Sequence, residues 1–378
     1  MTETNSTDTA SVDDGPYRDG LSPTAEAWRR LRRNRAAIGS LLFLVILAAA
    51  AVLTPLFPLT PPRLVATERQ LRPPQAWPLM ERKLLGGYET NPNQPSRLRS
   101  LSAEEIEAKL QEGFGRLGPF SRLLLRVRIA VFGEWCLAPL CGTDRLGRDL
   151  LSRIFWGSRI SLAVGLVATL VSIVIGVTYG AVAGFVGGWI DDVMMRIVDV
   201  LYSVPFIFVV IFLISILSAE SVKNTLEDRF GITRIMIFFL VVGAIYWLTM
   251  ARVVRGQVLS LRQELYVEAA RALGAGPIRI LFRHIIPNLV GVVIVYLTLT
   301  IPRVMLFEAF LSFLGLGVEP PDVSWGLLAN EGLQMITPIR IYWWLVVFPG
   351  LALAATLYAL NFLGDGLRDA LDPRLKDV

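Results

Sequence analysis

The chain has 378 residues, of which 53% are hydrophobic and only 18% charged, with a mean hydropathy of +0.53 and a formal net charge of +5. Six stretches of 17 or more residues carry no charge, the length a helix needs to cross hydrocarbon. This excludes a soluble enzyme, a disordered chain and a transmembrane β-barrel, whose strands are short and alternating. Two cysteines exclude a disulfide scaffold, and a single histidine excludes a histidine-rich metal site.

In chain order, residues 1–35 form a tail that is polar and acidic at first, expected to be disordered, and then basic from 27 in AWRRLRRNRAAIG (27–39). Those arginines suit anionic headgroups at the inner surface, or simply orient the first span. Residues 36–58 are the first predicted transmembrane helix; a cleavable signal peptide fits poorly so far from the start. Residues 59–159 form an extracytoplasmic loop and lobe rich in Pro and Arg. Within it Ser102-Ala103-Glu104-Glu105 reads as a capping box, followed by Ile106, Leu110, Phe114 and Leu117 at helical spacing. LLLRVRIAVFG (123–133) partly alternates and reads as a strand. Cys136 and Cys141 either form a bridge or stay free, and Pro139 between them favours free thiols. In 141–162 the apolar Leu150, Leu151, Ile154 and Phe155 share one face, with Arg148, Ser152, Arg153 and Arg159 mostly elsewhere. This predicts an amphipathic helix lying at the outer interface, with bends at Gly147 and Gly157.

The core, 160–364, holds five more spans at about 160–186, 197–217, 234–254, 288–312 and 343–363. Gly176, Gly180, Gly184 and Gly188 recur every four residues, predicting a small-residue face against a neighbouring helix. Pro205, Pro302 and Pro349 predict kinks. Residues 365–378 close the chain as a short tail. With the N-terminus inside, short inner segments carry 16 Lys and Arg against 4 in the short outer loops. Both termini are therefore expected inside. Tyr342, Trp343 and Trp344 fit the outer interface. The fold class is all-α: six transmembrane helices with an insert between the first and second.

No G-x-x-x-x-G-K-[ST], H-E-x-x-H or G-x-S-x-G occurs, so no nucleotide, zinc-protease or serine-hydrolase site is expected. Ionisable residues inside the spans are few. Arg303 and Glu308 are either a polar spot on a translocation path or residues near the outer water interface. The segment 255–287 is far longer than a turn requires. Leu265, Val267, Ala270 and Leu273 mix with Glu264, Glu268 and Arg271, predicting a helix with a partly apolar exposed face. Gly274 and Gly276-Pro277 end it, and IRILFRHI leads to Pro287 at the start of the fifth span. Such a projecting helix suits docking into a partner's groove. His284 reads as an interfacial histidine.

Here the residues resemble a known family. Glu268-Ala269-Ala270, Leu273, Gly274 and Pro287 match the EAA loop of binding-protein-dependent ABC importer permeases. MARVVRGQVLSLRQELYVEAA, RHIIPNLVGVVIVYLTL, FLSFLGLGVEPPDVSWG and NFLGDGLRDALDPRLK are similar to the C-type permease subunit of oligopeptide importers. GTDRLGRDLLSRIFWGSRISL, with Gly142, Thr143, Asp144, Gly147, Arg148 and Asp149, is similar to an outer motif of the dipeptide/oligopeptide/nickel group. The resemblance covers roughly 27–62 and 142–378. Two departures are a longer insert at about 63–138 and His284 where the general pattern has Ile.

The resemblance implies a type I ABC importer permease fold in a bacterial plasma membrane, with both termini cytoplasmic. It implies a second homologous permease subunit, two cytoplasmic ATPase subunits, a periplasmic or lipid-anchored solute-binding protein and a peptide substrate. The chain itself would be non-catalytic and hold no cofactor, ATP and Mg being bound by the ATPases. Glu268 and Gly274 would carry the ATPase contact, unless Glu268 instead holds the loop's own fold by capping or by pairing with Arg271. The alternative function is an ion-coupled secondary peptide transporter, which would be protonophore-sensitive and vanadate-insensitive.

Overall fold

The computed structural model describes residues 23–74, 80–82, 102–115, 117–217 and 234–371, with positions 219, 222 and 229. The start of the tail, most of the loop after the third span and the last seven residues lie outside the described residues, as does much of the insert.

Among the described residues five helices are long and apolar enough to cross a membrane, or six if one bent pair counts as a span. In chain order these are α2 (Arg35–Leu53), α5 (Leu150–Val186), the pair α6 (Gly188–Ser203) and α7 (Phe206–Leu217), α8 (Arg234–Leu261), α10 (Pro277–Phe313) and α12 (Trp344–Leu371). Shorter helices are α1 (Pro23–Arg33), α3 (Ala103–Phe114), α4 (Pro119–Phe132), α9 (Leu265–Ala272) and α11 (Trp325–Leu333).

Contacts at helix ends fix the direction of each span. Gly366 late in α12 lies so close to Ala37 that a Cβ would meet the Ala37 Cβ at 2.3 Å. At the far end of α2 the Thr54 hydroxyl donates to the Phe155 carbonyl at 3.4 Å. At the start of α12 the Trp344 indole donates to the Thr143 carbonyl at 3.3 Å, while Leu371 at its end faces Gly291 early in α10. The described ends of the chain and the 262–276 loop therefore share one end of the bundle. The lobe occupies the other.

The core centres on α5 against α8. Gly176 faces Met250 and Trp247, Gly180 faces the Ala251 carbonyl and Gly184 faces Arg255 and Val258, each closer than a Cβ would allow. Gly243 on α8 does the same against Val171 and Ala168. Gly188 departs from the expected face: nothing lies within 4 Å of its Cβ position. The reason is local, because α5 stops at Val186 and Gly187 turns the chain at φ 70°. The third span is also not one helix. Pro205 lacks the N–H that would continue the ladder, and α6 and α7 meet at 84°.

Two further expectations are corrected. The segment read as a strand is helix α4, with Ser121, Leu125 and Arg128 buried on one face. The interfacial helix is instead the first three turns of an unbroken 37-residue α5, which continues through Gly157.

In the lobe, Ser102 and Glu105 form the expected capping box. Ile106, Leu110, Phe114 and Leu117 pack with Leu125 and Cys136, and Trp156 of α5 joins them. A short antiparallel pair, β1 (Met80–Arg82) and β2 (Trp135–Leu137), closes the lobe with Glu81 opposite Cys136. Arg128 is fully buried, donating to the Leu59 carbonyl at 3.0 Å and to Cys136 Sγ at 3.0 Å. Burial lowers its pKa, partly offset by Cys136. Cys136 is buried and Cys141 half-buried, and no disulfide joins them.

Candidate functional site: the loop between α8 and α10

α8 runs past its apolar stretch to Leu261, and Glu264 then starts the short helix α9. Val267 and Ala270, three residues apart, turn inward and pack with Val254, Val258, Ile280, Leu281 and Ile285. The opposite side faces out: Glu268 and Ala269 are exposed, as are Leu265 at 81% and Leu273 at 88%. On the following segment Ile278 and Phe282 are also exposed, at 74% and 63%. Burying large apolar side chains stabilises by roughly 1.5–3 kcal/mol each, so these uncovered side chains make an exposed apolar face of the kind that marks interaction sites.

Gly274 sets the shape of the loop. Its φ is +82°, its N–H bonds the Arg271 carbonyl, and the Ala275 N–H bonds the Ala270 carbonyl at 3.0 Å. This is a Schellman ending, which places a left-handed residue at the first position beyond the helix. No atom lies within 4 Å of a Cβ there, so the demand for glycine is conformational and not steric. Pro277 opens α10, and a π-helical stretch at Leu281–Ile285 precedes exposed Pro287. The ring of Pro287 has no N–H to donate, and the wider turn before it accommodates that loss.

Residues that sequence reasoning did not assign hold this loop rigidly to the bundle. Arg255 clamps Asp191 of α6 through two bonds of 2.6 and 2.7 Å. Arg262 donates to the Gly184 carbonyl at the end of α5 at 3.1 Å. Asn288 donates to the Tyr266 hydroxyl at 3.2 Å, pinning α9 to α10. Only the apolar knobs left a signal in the sequence: once Val267, Ala270, Ile280 and Leu281 are assigned inward, Leu265, Ile278 and Phe282 remain. Glu268 makes no ion pair or side-chain hydrogen bond among the described residues. It therefore neither caps the helix nor pairs with Arg271, and stands exposed beside the knobs. His284 is half-buried.

The 142–149 motif lies at the lobe end and is buried, not spread on an interface. Asp144 Oδ1 accepts from the Leu146 and Arg148 amides at 2.8 and 2.9 Å. Its Oδ2 accepts from Arg148 Nε at 2.6 Å and Arg153 Nη1 at 2.7 Å. Glu331 of α11 completes the cluster, accepting from Arg153 at 2.5 Å and Arg148 at 3.4 Å. Asp149 caps α5 through the Leu151 amide and accepts from Thr60 at 2.9 Å. Thr143 donates to the Arg69 carbonyl and accepts from the Arg72 amide. Gly142 and Gly147 have positive φ, and a Cβ on Gly147 would strike the Ala66 backbone. These residues lash the strap 60–72 to α5, α11 and α12; they form a fastening.

Arg303 and Glu308 are not brought together. Arg303 is exposed, whereas Glu308 is 1% exposed and accepts from Ser312 at 2.8 Å and Ser324 at 2.7 Å. Its carboxylate is thus enclosed within the chain by two serine hydroxyls. Among the described residues no group of His, Cys, Asp and Glu is arranged to hold a metal ion.

Residues 176–377 match the family described as binding-protein-dependent transport system inner membrane component, and residues 22–74 match the N-terminal TM domain of oligopeptide transport permease C. The dipeptide transport system permease protein DppC of Bacillus subtilis is 37% identical over 96% of this chain and 89% of its own length. The oligopeptide transport system permease protein OppC of Salmonella typhimurium is 51% identical over 62% of this chain and 72% of its own length. A solved inward-facing structure of the MetNI methionine ABC transporter aligns with a TM-score of 0.42 at 19% identity, covering 58% of this chain and 96% of that one. With the matched segment spanning more than half the chain, from the glycine face through the exposed loop to the C-terminal helix, this is a multi-pass membrane permease and a member of the binding-protein-dependent transport system inner membrane component family.

Proposed function

We propose that the chain is one permease subunit of an ATP-driven importer of peptides. A second, homologous permease subunit completes the path. Two cytoplasmic ABC ATPase subunits bind at the loop end, and a solute-binding protein delivers cargo at the lobe end. The loop, both termini and the inner leaflet are cytoplasmic, and the lobe faces outward from a bacterial plasma membrane. ATP and Mg belong to the ATPases, and this chain breaks no bond.

The observation that carries this reading is the rigidly braced, outwardly apolar loop with exposed Leu265, Leu273, Ile278 and Phe282. Those knobs suit a groove on an ATPase surface, with Glu268 at their edge. Val267 and Ala270 pack α9 on α8, which the Arg255–Asp191 clamp ties to α6, and the Tyr266–Asn288 bond ties α9 to α10, so a displacement of α9 reaches both. A nucleotide state that prefers one position of α9 shifts the whole bundle between two arrangements. The peptide cargo is supported by the names of the relatives. The ion-coupled alternative has no such support.

The test uses the assembled complex. Gly274→Asp places a β-carbon where φ is +82°, at a cost of about 1–2 kcal/mol, and a charge beside the knobs. The permease should still pair with its partner subunit, while uptake separates from ATP hydrolysis or the ATPases dissociate. Wild-type transport with the ATPases retained would remove the loop from the coupling role.

A further inference from the structure

The break between α6 and α7 has a use that the loop does not explain. Non-helical backbone at membrane depth persists only where protein buries it or where it lines a water-filled cavity. Pro205 donates nothing, and the first amides of α7 have no partners within their own helix. Beside this break lies an open cleft of about 370 Å³ between the α6–α7 corner and α8, with Leu201, Tyr202 and Val204 on its wall about half exposed.

Its lining is mixed. Tyr202 and Thr249 place their hydroxyl oxygens 3.0 Å apart across the cavity wall. Ser203 adds a third hydroxyl, itself donating to the Val200 carbonyl at 2.7 Å. Phe206 and Tyr246 supply aromatic walls, their ring centres 5.9 Å apart. One turn along α8, Arg252 stacks 4.2 Å over the Tyr202 ring and pairs with Asp199 at 2.8 Å. Pockets of about 300–1,000 Å³ with mostly apolar walls and a few convergent polar groups are the usual form of a small-ligand site. The hydroxyls can both donate and accept, which suits peptide amides of any sequence. The Asp199–Arg252 pair leaves the neighbouring rim without net charge.

We propose that this cavity is a peptide subsite on the translocation path, holding one or two cargo residues by their backbone amides against the Tyr202–Ser203–Thr249 hydroxyls. The proposal rests on the peptide-importer reading. It adds a mechanical link, because α8 both walls the cavity and carries Arg255, so the loop and the subsite move as parts of one helix.

The experiment reconstitutes the full complex, with its partner subunits and binding protein, and follows uptake of a radiolabelled library of tri- to pentapeptides. Tyr202→Phe removes one hydroxyl and should raise the uptake KM about three- to ten-fold, the effect of one lost neutral hydrogen bond. Thr249→Trp fills the cavity and should cut uptake most for peptides with bulky residues. A photo-crosslinking amino acid at Leu248, on the cavity lining, should capture labelled peptide during turnover, which keeps the test decisive if Thr249→Trp fails to assemble. A wild-type KM in Tyr202→Phe together with crosslinks to lipid alone would overturn the subsite. If the unaltered complex imports none of the library, the importer reading itself fails, and the two failures are thereby distinguished.

Discussion

Replacing Gly180 by alanine tests the packing on which the bundle is built. The added Cβ would lie 2.3 Å from the Ala251 carbonyl oxygen and 3.0 Å from its carbon. Backbone cannot rotate away as a side-chain tip can, so α5 and α8 must part by about 1 Å to restore an ordinary contact. A gap of 0.5–1 Å forfeits about a quarter to a half of each dispersion well along the seam. Gly176 and Gly184 lie a turn to either side, and Met250, Val254 and Val258 are all buried there. The expected loss is about 1–3 kcal/mol, the usual cost of overpacking. Gly256→Ala is the matched control, since it sits in α8 with nothing within 4 Å of its Cβ position. Relief of glycine's helix penalty should there stabilise by up to about 1 kcal/mol. Reversible unfolding of both variants in the same detergent micelle, followed by circular dichroism, compares them directly. If Gly180→Ala proves as stable as Gly256→Ala, the close approach of α5 to α8 is not what holds the two helices together.

Arg153→Ala leaves Asp144 and Glu331 short of a buried cation, and should cost about 3–5 kcal/mol, seen as a lowered melting temperature and poor accumulation in the membrane. Burial, and then the nearby Asp149 carboxylate, push the Cys141 thiol up to about 11. In a Cys136→Ser background its alkylation rate should therefore rise about tenfold per unit from pH 8 to pH 10; a plateau near pH 9 would contradict this. Single cysteines at exposed positions 131 and 273 test the orientation. An impermeant thiol reagent applied to intact cells should modify position 131 and spare position 273, and the reverse pattern would invert the proposed topology.

Features set by neighbours in the chain were legible in the sequence. The apolar stretches, the Ser102 capping box, the Gly274 ending and three of four glycines on α5 follow from local spacing. What escaped depends on distant partners. Arg148 and Arg153 read as a polar helix face because their acceptor, Glu331, lies 178 residues beyond Arg153. Arg128 produced an alternating pattern that suggested a strand, yet in α4 it points inward to the Leu59 carbonyl, 69 residues away. Glu308 stood out as an ionisable residue in a span, and only the return of α11 brings Ser324 to it. Gly188 kept the spacing of four but not the face, because Gly187 ends the helix first.

α5 runs for 37 residues without a break, which at 1.5 Å per residue is a rod of about 55 Å. One end is tied into the Asp144–Arg153–Glu331 fastening and touches the lobe through Trp156; the other receives Arg262 from the loop. The neighbouring α6–α7 pair is elbowed at 84°, whereas α5 runs on as one helix. The lobe end and the loop end of the bundle are therefore joined by one continuous strut, so that any shift of α5 along its axis would be felt at both.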